Sequence, residues 1–388
     1  MIQSGLSRKL SQKDIGVPVL RSNNLINNEL NLDDISYWYI KDSKGAKIEN
    51  YFLKENDLLI NFINSLSQIG KIALFKNELK RNTIFTTNLL RLNFNSKIYI
   101  DFMYFYFQTG KYNNYIQVIT KPAVNQASFT TVDLKKFNLK VPSLHEQKKI
   151  ANFLNSINHK IKLLNKKLGY FKDFKKYCFQ NLFSEKLRFI KRYNFDAKYV
   201  SDYLKESKIK ASNDDINKHL TVKLNLKGVI PRESKTIEKE GATTQYIRKS
   251  GQFIYGKQNL YKGALGLIPK ELDNFLSSSD IPSFDFINSV NHLWFYYYFS
   301  RKSFYECLEK YSTGTGSKRI SPTDFLKIKL FIPPLEIQEK IASFLSLIDK
   351  KLDLTQNQIE NMEKFKKGLL QQMFVYLCIF FNRFISLF

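Results

Sequence analysis

Few side chains in this 388-residue sequence are spaced to do covalent chemistry. The four histidines, His145, His159, His219 and His292, are scattered, and each reads as a surface or helix residue and not a ligand. Cys178, Cys307 and Cys378 fall at no metal or disulfide spacing, which suits a reducing cytoplasm. Gly-x-Gly-x-x-Gly, Walker Lys-Ser/Thr, His-Glu-x-x-His and Cys-x-x-Cys are all missing. The expectation is a chain with no catalytic residue, no metal and no cofactor.

The residues point instead to binding. Lys and Arg number 61 against 35 acidic residues, a net charge of +26. An excess of that size implies a polyanionic partner, nucleic acid before membrane; the competing explanation is a lysine-rich compositional bias. Two polar loops could contact bases or phosphates: Asn64, Ser65, Ser67, Gln68 and Lys71, and later Lys257, Gln258, Asn259, Tyr261 and Lys262. Asn and Gln can pair with adenine, and Lys or Arg with guanine or phosphate. A third candidate is the turn from Thr313 to Arg319, where Gly314 and Gly316 permit a backbone nest and Thr315, Ser317, Lys318 and Arg319 could meet a phosphate. It lacks Walker spacing, and its alternative is a plain surface turn.

What must position these loops is a duplicated frame. With Leu144 on Leu335, an offset of 191 residues, the pairs Gln147/Gln338, Ala151/Ala342, Phe153/Phe344, Leu154/Leu345, Phe174/Phe365 and Phe183/Phe374 are identical without a gap. Leu154, Ile157, Ile161, Leu164 and Leu168 step by threes and fours, as do Leu345, Ile348, Leu352, Ile359 and Met362. That is a heptad seam, predicting two long helices that bury their stripes against each other, with Lys175 and Lys366 at the same seam position as register devices that cost stability. Ser143-x-x-Glu146 predicts a capping box at the first helix start. Ahead of each helix lies an α/β domain: β-type runs at Val17 to Leu20, Asp57 to Phe62, Lys71 to Phe75 and Leu89 to Leu92, then an aromatic helix from Ile100 to Gln108. The second domain echoes it, Lys54 matching Lys249, Gly70 matching Gly263 and Asp101 matching Asn291.

Pro142 to Ala151 and Pro333 to Ala342 resemble the Pro-x-x-x-Glu-Gln-x-x-Ile-type opening of the conserved helices in specificity subunits of type I restriction-modification enzymes. The resemblance covers nearly the whole chain. It implies two target-recognition domains, each reading half of a bipartite site in double-stranded DNA, held apart by two antiparallel helices. Catalysis would belong to partners: two methyltransferase (modification) subunits and, through them, restriction subunits. The alternatives from other classes are a stand-alone nucleic-acid enzyme with an unrecognised site, or an inactive allele that binds partner subunits only.

The expected fold is α+β: two mixed α/β recognition domains joined by two long helices forming an antiparallel coiled coil, a pseudo-two-fold internal repeat. The expected boundaries are 1–141 for domain one, with a start that looks shortened, and 142–184 for the first helix. A connection spans 185–198, domain two 199–332 and the second helix 333–374. Residues 375–388 form an atypical apolar tail, interrupted by Asn382 and Arg383 and short of the ~20 residues of a membrane span.

Overall fold

The computed structural model describes residues 1–124, 126–183, 196–233, 243–314, 318–380 and 384–385. The fold is α+β with a two-fold internal repeat. The chain divides into two units: residues 1–165 with 357–388, and residues 166–356. The cuts follow Asn165 and Gln356, which are repeat equivalents 191 residues apart, so both long helices are shared between the units.

In the first unit an antiparallel sheet has the strand order Ile2–Ser4, Leu89–Leu92, Leu58–Asn61, Ile72–Leu74. Alternation sends Leu58 and Ile60 to one face, against Phe102, Met103 and Phe105 of the aromatic helix Ile100–Tyr106, and Leu59 to the other, against Leu20, Phe75 and Phe85. Both faces are therefore covered, which is why these strands read as unbroken apolar runs. The second unit repeats the order with Leu204–Ser207, Ser283–Phe286, Phe253–Tyr255 and Leu265–Leu267. Ile60 pairs with Ile72, and Tyr255 with Leu265, in the register that the Gly70/Gly263 match predicts.

Each sheet also buries a guanidinium beside its edge strand, but from a different strand. Arg91 donates to the carbonyls of Phe52 at 2.6 Å and Asn50 at 3.2 Å, and to Gln3 Oε1. In the second unit Arg248 reaches the corresponding place, donating to Ser277 Oγ at 2.7 Å and to the Ser207 carbonyl and Ser283 Oγ, each at 3.1 Å. Burial lowers the Arg248 pKa to about 10, so it stays charged at neutral pH.

The first long helix runs Leu144–Leu182 and the second Leu335–Phe380. The capping box forms: Ser143 N–H donates to Glu146 Oε2 at 3.0 Å and Glu146 N–H to Ser143 Oγ at 3.3 Å. The helices pair antiparallel. In the first unit Ala151, Leu154 and Ile157 share a core with Leu370 and Phe374; in the second, Cys178 shares one with Ile337, Ile341, Leu345 and Ile348. Leu164, Leu168 and Ile359 are buried, and Ile161, Leu352 and Met362 half-buried.

Four expectations are corrected. The second helix does not stop at Phe374 but continues to Phe380, since nothing in the tail's apolar run breaks a helix there. Residues 196–198 belong to domain two and not to the connection, because Asp196–Tyr199 pairs with Lys329–Ile332. The start of domain one, expected to look shortened, does carry a strand before Gly16: Ile2–Ser4 is the sheet's edge strand, paired with Leu89–Leu92. The strand position that Asp196–Tyr199 takes in domain two is filled in domain one by Phe384–Ile385 of the tail, paired with Leu139–Lys140. Last, the aromatic helices align two residues away from the Asp101/Asn291 match. Tyr99 and Asn291 are the N-caps, 192 residues apart, and each gives its N–H to a helix glutamine.

Candidate nucleic-acid interface

The loops that could touch DNA are presented by domains locked onto the long helices, and the lock is the same in both copies. Gln147 is buried, its Oε1 accepting the Tyr99 N–H at 2.8 Å and its Nε2 donating to the carbonyls of Lys97 and Pro142, both at 3.0 Å. Gln338 does likewise, accepting from Asn291 N–H at 2.9 Å and donating to the Pro333 carbonyl at 2.8 Å. A buried amide with every bond made fixes the start of the aromatic helix, since losing one would leave a desolvated group at ~1–3 kcal/mol. The closing phenylalanines complete the pattern. Phe374 packs on Phe102 and Tyr106, with ring centroids 5.2 and 5.4 Å apart, and Phe183 on Trp294 and Tyr298, at 6.5 and 6.1 Å. Each recognition domain thus holds the start of the helix that follows it and the end of the helix from the other copy.

In domain one the strand Ile63–Asn64 pairs with Ala127–Ser128. Asn64 Oδ1 accepts the Ser65 N–H at 2.7 Å, and the Ser65 and Ser67 hydroxyls lie 3.2 Å apart. Lys71 Nζ donates to Gln68 Oε1 at 2.6 Å. Ser65 and Ser67 are exposed; Asn64, Gln68 and Lys71 are half-buried. The loop ends at Gly70, whose φ of +78° suits glycine, and a Cβ there would stand 2.6 Å from Ile116 Cγ2. The Tyr112 hydroxyl, buried and held protonated by burial, donates to the Gly70 carbonyl at 3.0 Å, fastening the loop to helix Gly110–Ile119.

In domain two the backbone of Lys257 is strapped on both sides: its N–H donates to the Asp280 carbonyl at 2.9 Å, and its carbonyl accepts the Ile320 N–H at 2.9 Å. Gln258, Asn259 and Tyr261 are half-buried and Lys262 exposed, with the Lys262 ammonium 5.6 Å from the Tyr261 ring centroid. Thr313 and Arg319 exchange backbone hydrogen bonds at 2.9 Å each way, so the two ends of the candidate turn are paired as the ends of a hairpin are. Lys318 and Arg319 are exposed and paired with Glu309 at 2.6 Å and Asp280 at 3.1 Å. Thr315 and Ser317 lie outside the described residues. The structure therefore unites two stretches that are separate in sequence, the 257–262 loop and the hairpin, through Asp280 and Ile320.

Sequence reasoning missed the domain-one counterpart of that hairpin. Strands Lys121–Pro122 and Ala127–Ser128 pair beside Asn64, with Lys121, Val124 and Gln126 exposed. A signal existed. Thr130 caps the helix Thr131–Lys135 by accepting from Asp133 N–H at 3.0 Å, and Ser321 caps Pro322–Leu326 by accepting from Asp324 N–H at 3.1 Å, again 191 residues apart. Carrying the offset back through those caps puts residues 121–128 opposite the 313–319 turn.

The two seam lysines have different surroundings. Lys175 pairs with Asp349, which also accepts from the Tyr297 hydroxyl at 2.8 Å. Lys366 lies 3.2 Å from Gln108 Oε1 and 5.9 Å from the Phe105 ring centroid, and burial lowers its pKa. Of the histidines, His145 and His159 are exposed on the first long helix; His292 stacks on Phe286, and buried His219 meets Asp214 at 2.5 Å. Among the described residues no group of three or more His, Cys, Asp or Glu side chains could hold a metal ion, and no helix is long and apolar enough to cross a membrane.

Comparison with known proteins agrees with this geometry. The family model for the type I restriction modification DNA specificity domain matches twice, at residues 5–169 and 172–364. A Methanocaldococcus jannaschii protein assigned as the MjaX type I restriction enzyme specificity subunit is 25% identical over 391 residues, spanning 95% of this chain and 89% of its own. The EcoKI specificity subunit of Escherichia coli is 23% identical over 151 residues, 39% of this chain and 32% of that one. In fold, the type I S subunit from M. genitalium superposes with a TM-score of 0.59 at 14% identity, covering 96% of this chain and 93% of that one. Two family matches laid end to end over a chain folded as two like halves leave one assignment: it belongs to the type I restriction modification DNA specificity family.

Proposed function

We propose that this chain is the non-catalytic, sequence-specific DNA-binding subunit of a cytoplasmic type I restriction-modification complex. Residues 1–141 form one target-recognition domain and 196–332 the other, each reading half of a bipartite site. In domain one the 64–71 loop and the 121–128 hairpin meet DNA. In domain two Lys257 to Lys262 and the hairpin with Lys318 and Arg319 do so, their ion pairs opening to phosphates. The paired helices set the spacer between half-sites.

The observation that carries this reading is what the repeat preserves. Identical residues are kept inside, as Gln147/Gln338 and Leu154/Leu345, while the loops at the candidate interface share almost nothing. Identical residues are also kept outside. Phe153 and Phe344 are 46% and 40% exposed, and Phe174 and Phe365 are 48% and 50% exposed, on helices otherwise rich in lysine. In the second unit Phe174 and Phe344 lie edge to face, with centroids 6.3 Å apart. Duplicated exposed aromatics suit two equal docking sites, one for each of two methyltransferase subunits, through which restriction subunits join.

The test is co-expression with a type I methyltransferase subunit from the same source. The complex should methylate one bipartite sequence, whereas the chain alone should bind DNA without altering it. Phe174→Glu with Phe344→Glu should lose one methyltransferase copy by native mass spectrometry, and the matching pair in the first unit the other. Cleavage or methyl transfer by the chain alone overturns the reading.

A further inference from the structure

Residues 39–47 of domain one, between strand Ser36–Tyr39 and the 3-10 turn Ile48–Tyr51, are folded around one buried carboxylate. The Asp42 side chain is 0% exposed. Arg8 holds it with two parallel hydrogen bonds, Nε at 2.8 Å and Nη2 at 2.7 Å, and the Ala46 N–H adds a third at 2.9 Å. Gly45, at φ +80°, gives its N–H to the Asp42 carbonyl at 3.2 Å.

This clamp separates the loop's charges. Its one acid is turned inward and neutralised by Arg8, while Lys41, Lys44 and Lys47 are all exposed and, among the described residues, none meets a carboxylate. Some surface lysines elsewhere in the protein do meet a carboxylate, as Lys318 meets Glu309 and Lys340 meets Glu336. Three ammonium groups on a turn pinned from inside can meet neighbouring oxyanions, and an ammonium is a point charge that does not demand one phosphate geometry.

We propose that the loop is a phosphate clamp, gripping the DNA backbone beside the half-site that domain one reads. The clamp rests on the DNA-binding reading and adds a contact to it that reads no bases.

The experiment uses the full chain assembled with its methyltransferase, titrated by fluorescence anisotropy onto a duplex carrying the mapped site, from about 50 to 200 mM KCl. Lys41→Gln with Lys44→Gln and Lys47→Gln is compared with the native chain and with the three Lys→Arg changes. Each phosphate contact contributes ~0.9 to the salt slope, so the Gln variant should lose about two to three units of slope and on the order of 10²-fold in affinity near 0.1 M. The Arg variant should keep both, and all three proteins should methylate the same half-sites. A Gln variant with the native slope overturns the clamp and leaves the DNA-binding reading standing. An Arg variant as weak as the Gln variant also overturns it, because charge would not be what matters. A native complex that does not bind removes both.

Discussion

The proposed role of the helices as a ruler can be tested by inserting heptads at the two equivalent points where the units divide, after Asn165 and after Gln356. Whole heptads keep the seam in register, so buried positions such as Leu154 and Leu345 stay buried. Three heptads in each helix add ~31 Å at ~1.5 Å per residue, about nine base pairs at ~3.4 Å each. Phase must match as well as length. A left-handed supercoil of ~150 Å pitch turns by about 75° over that distance, and nine base pairs fall about 50° short of a ~10.5-pair turn, in the same sense. The mismatch of roughly 25° is small enough for DNA twist to absorb. One heptad behaves differently: it adds about three base pairs, DNA advances by roughly 105° while the coil falls back by about 25°, and the half-sites face apart. Sequencing of methylated sites in cells carrying each variant and the partner methyltransferase should therefore show loss of methylation with one heptad. With three, methylation should return at the same half-sites, separated by about nine more base pairs. A one-heptad variant as active as the native chain, or a three-heptad variant that keeps the original spacer, would refute the ruler.

Other outcomes follow from single side chains. Lys366→Met should raise the melting temperature at pH 7, because its depressed pKa means folding disfavours the charged form; that deficit fades as pH rises from the depressed folded value towards the unfolded lysine value near ~10.4 and is gone above it. Lys175→Met should not share the gain, since it strips Asp349 of its cation; parallel calorimetry of the two variants separates the cases. Leu345→Ala, at a position 0% exposed in the second unit's core, should cost ~2–5 kcal/mol by urea denaturation. The Asp42 carboxyl is held well below the usual range by Arg8, so its contribution is present above the unfolded value near ~3.9 and lost as pH falls toward the folded one. Asp42→Asn should flatten acid unfolding curves below about pH 4, and a curve unchanged from the native chain's would show that the pair does not report on stability.

Signals that repeat every turn or every second residue were legible in the chain. The heptad steps, the Ser143/Glu146 cap, the strand runs at Leu58–Asn61 and Leu89–Leu92, and the 191-residue offset all follow from residues close together, or from self-comparison. Their geometry comes from backbone periods that any sequence must obey, so reading them needs no knowledge of where the chain returns. The matched loops at Gly70 and Gly263 were legible for a related reason: a left-handed residue at a fixed place before a strand leaves a mark in sequence.

By itself, then, the sequence determined two like halves, each a mixed domain followed by a long helix with one buried stripe, and a basic surface for a polyanion. The tertiary structure alone decided which residues meet. Phe374 sits on Phe102 while Phe183 sits on Trp294; the tail at Phe384–Ile385 completes domain one's strand pairing; the hairpin at 121–128 lies beside Asn64; and of two identical lysines one finds Asp349 and the other Gln108. The aromatic helix shows why. With nearly every side chain apolar, His292–Phe299 carries no periodic stripe to fix its register, and a two-residue slip costs nothing that sequence comparison can see. That register was set by one buried amide, Gln338 Oε1, which can accept the N–H of Asn291 only when the helix starts there.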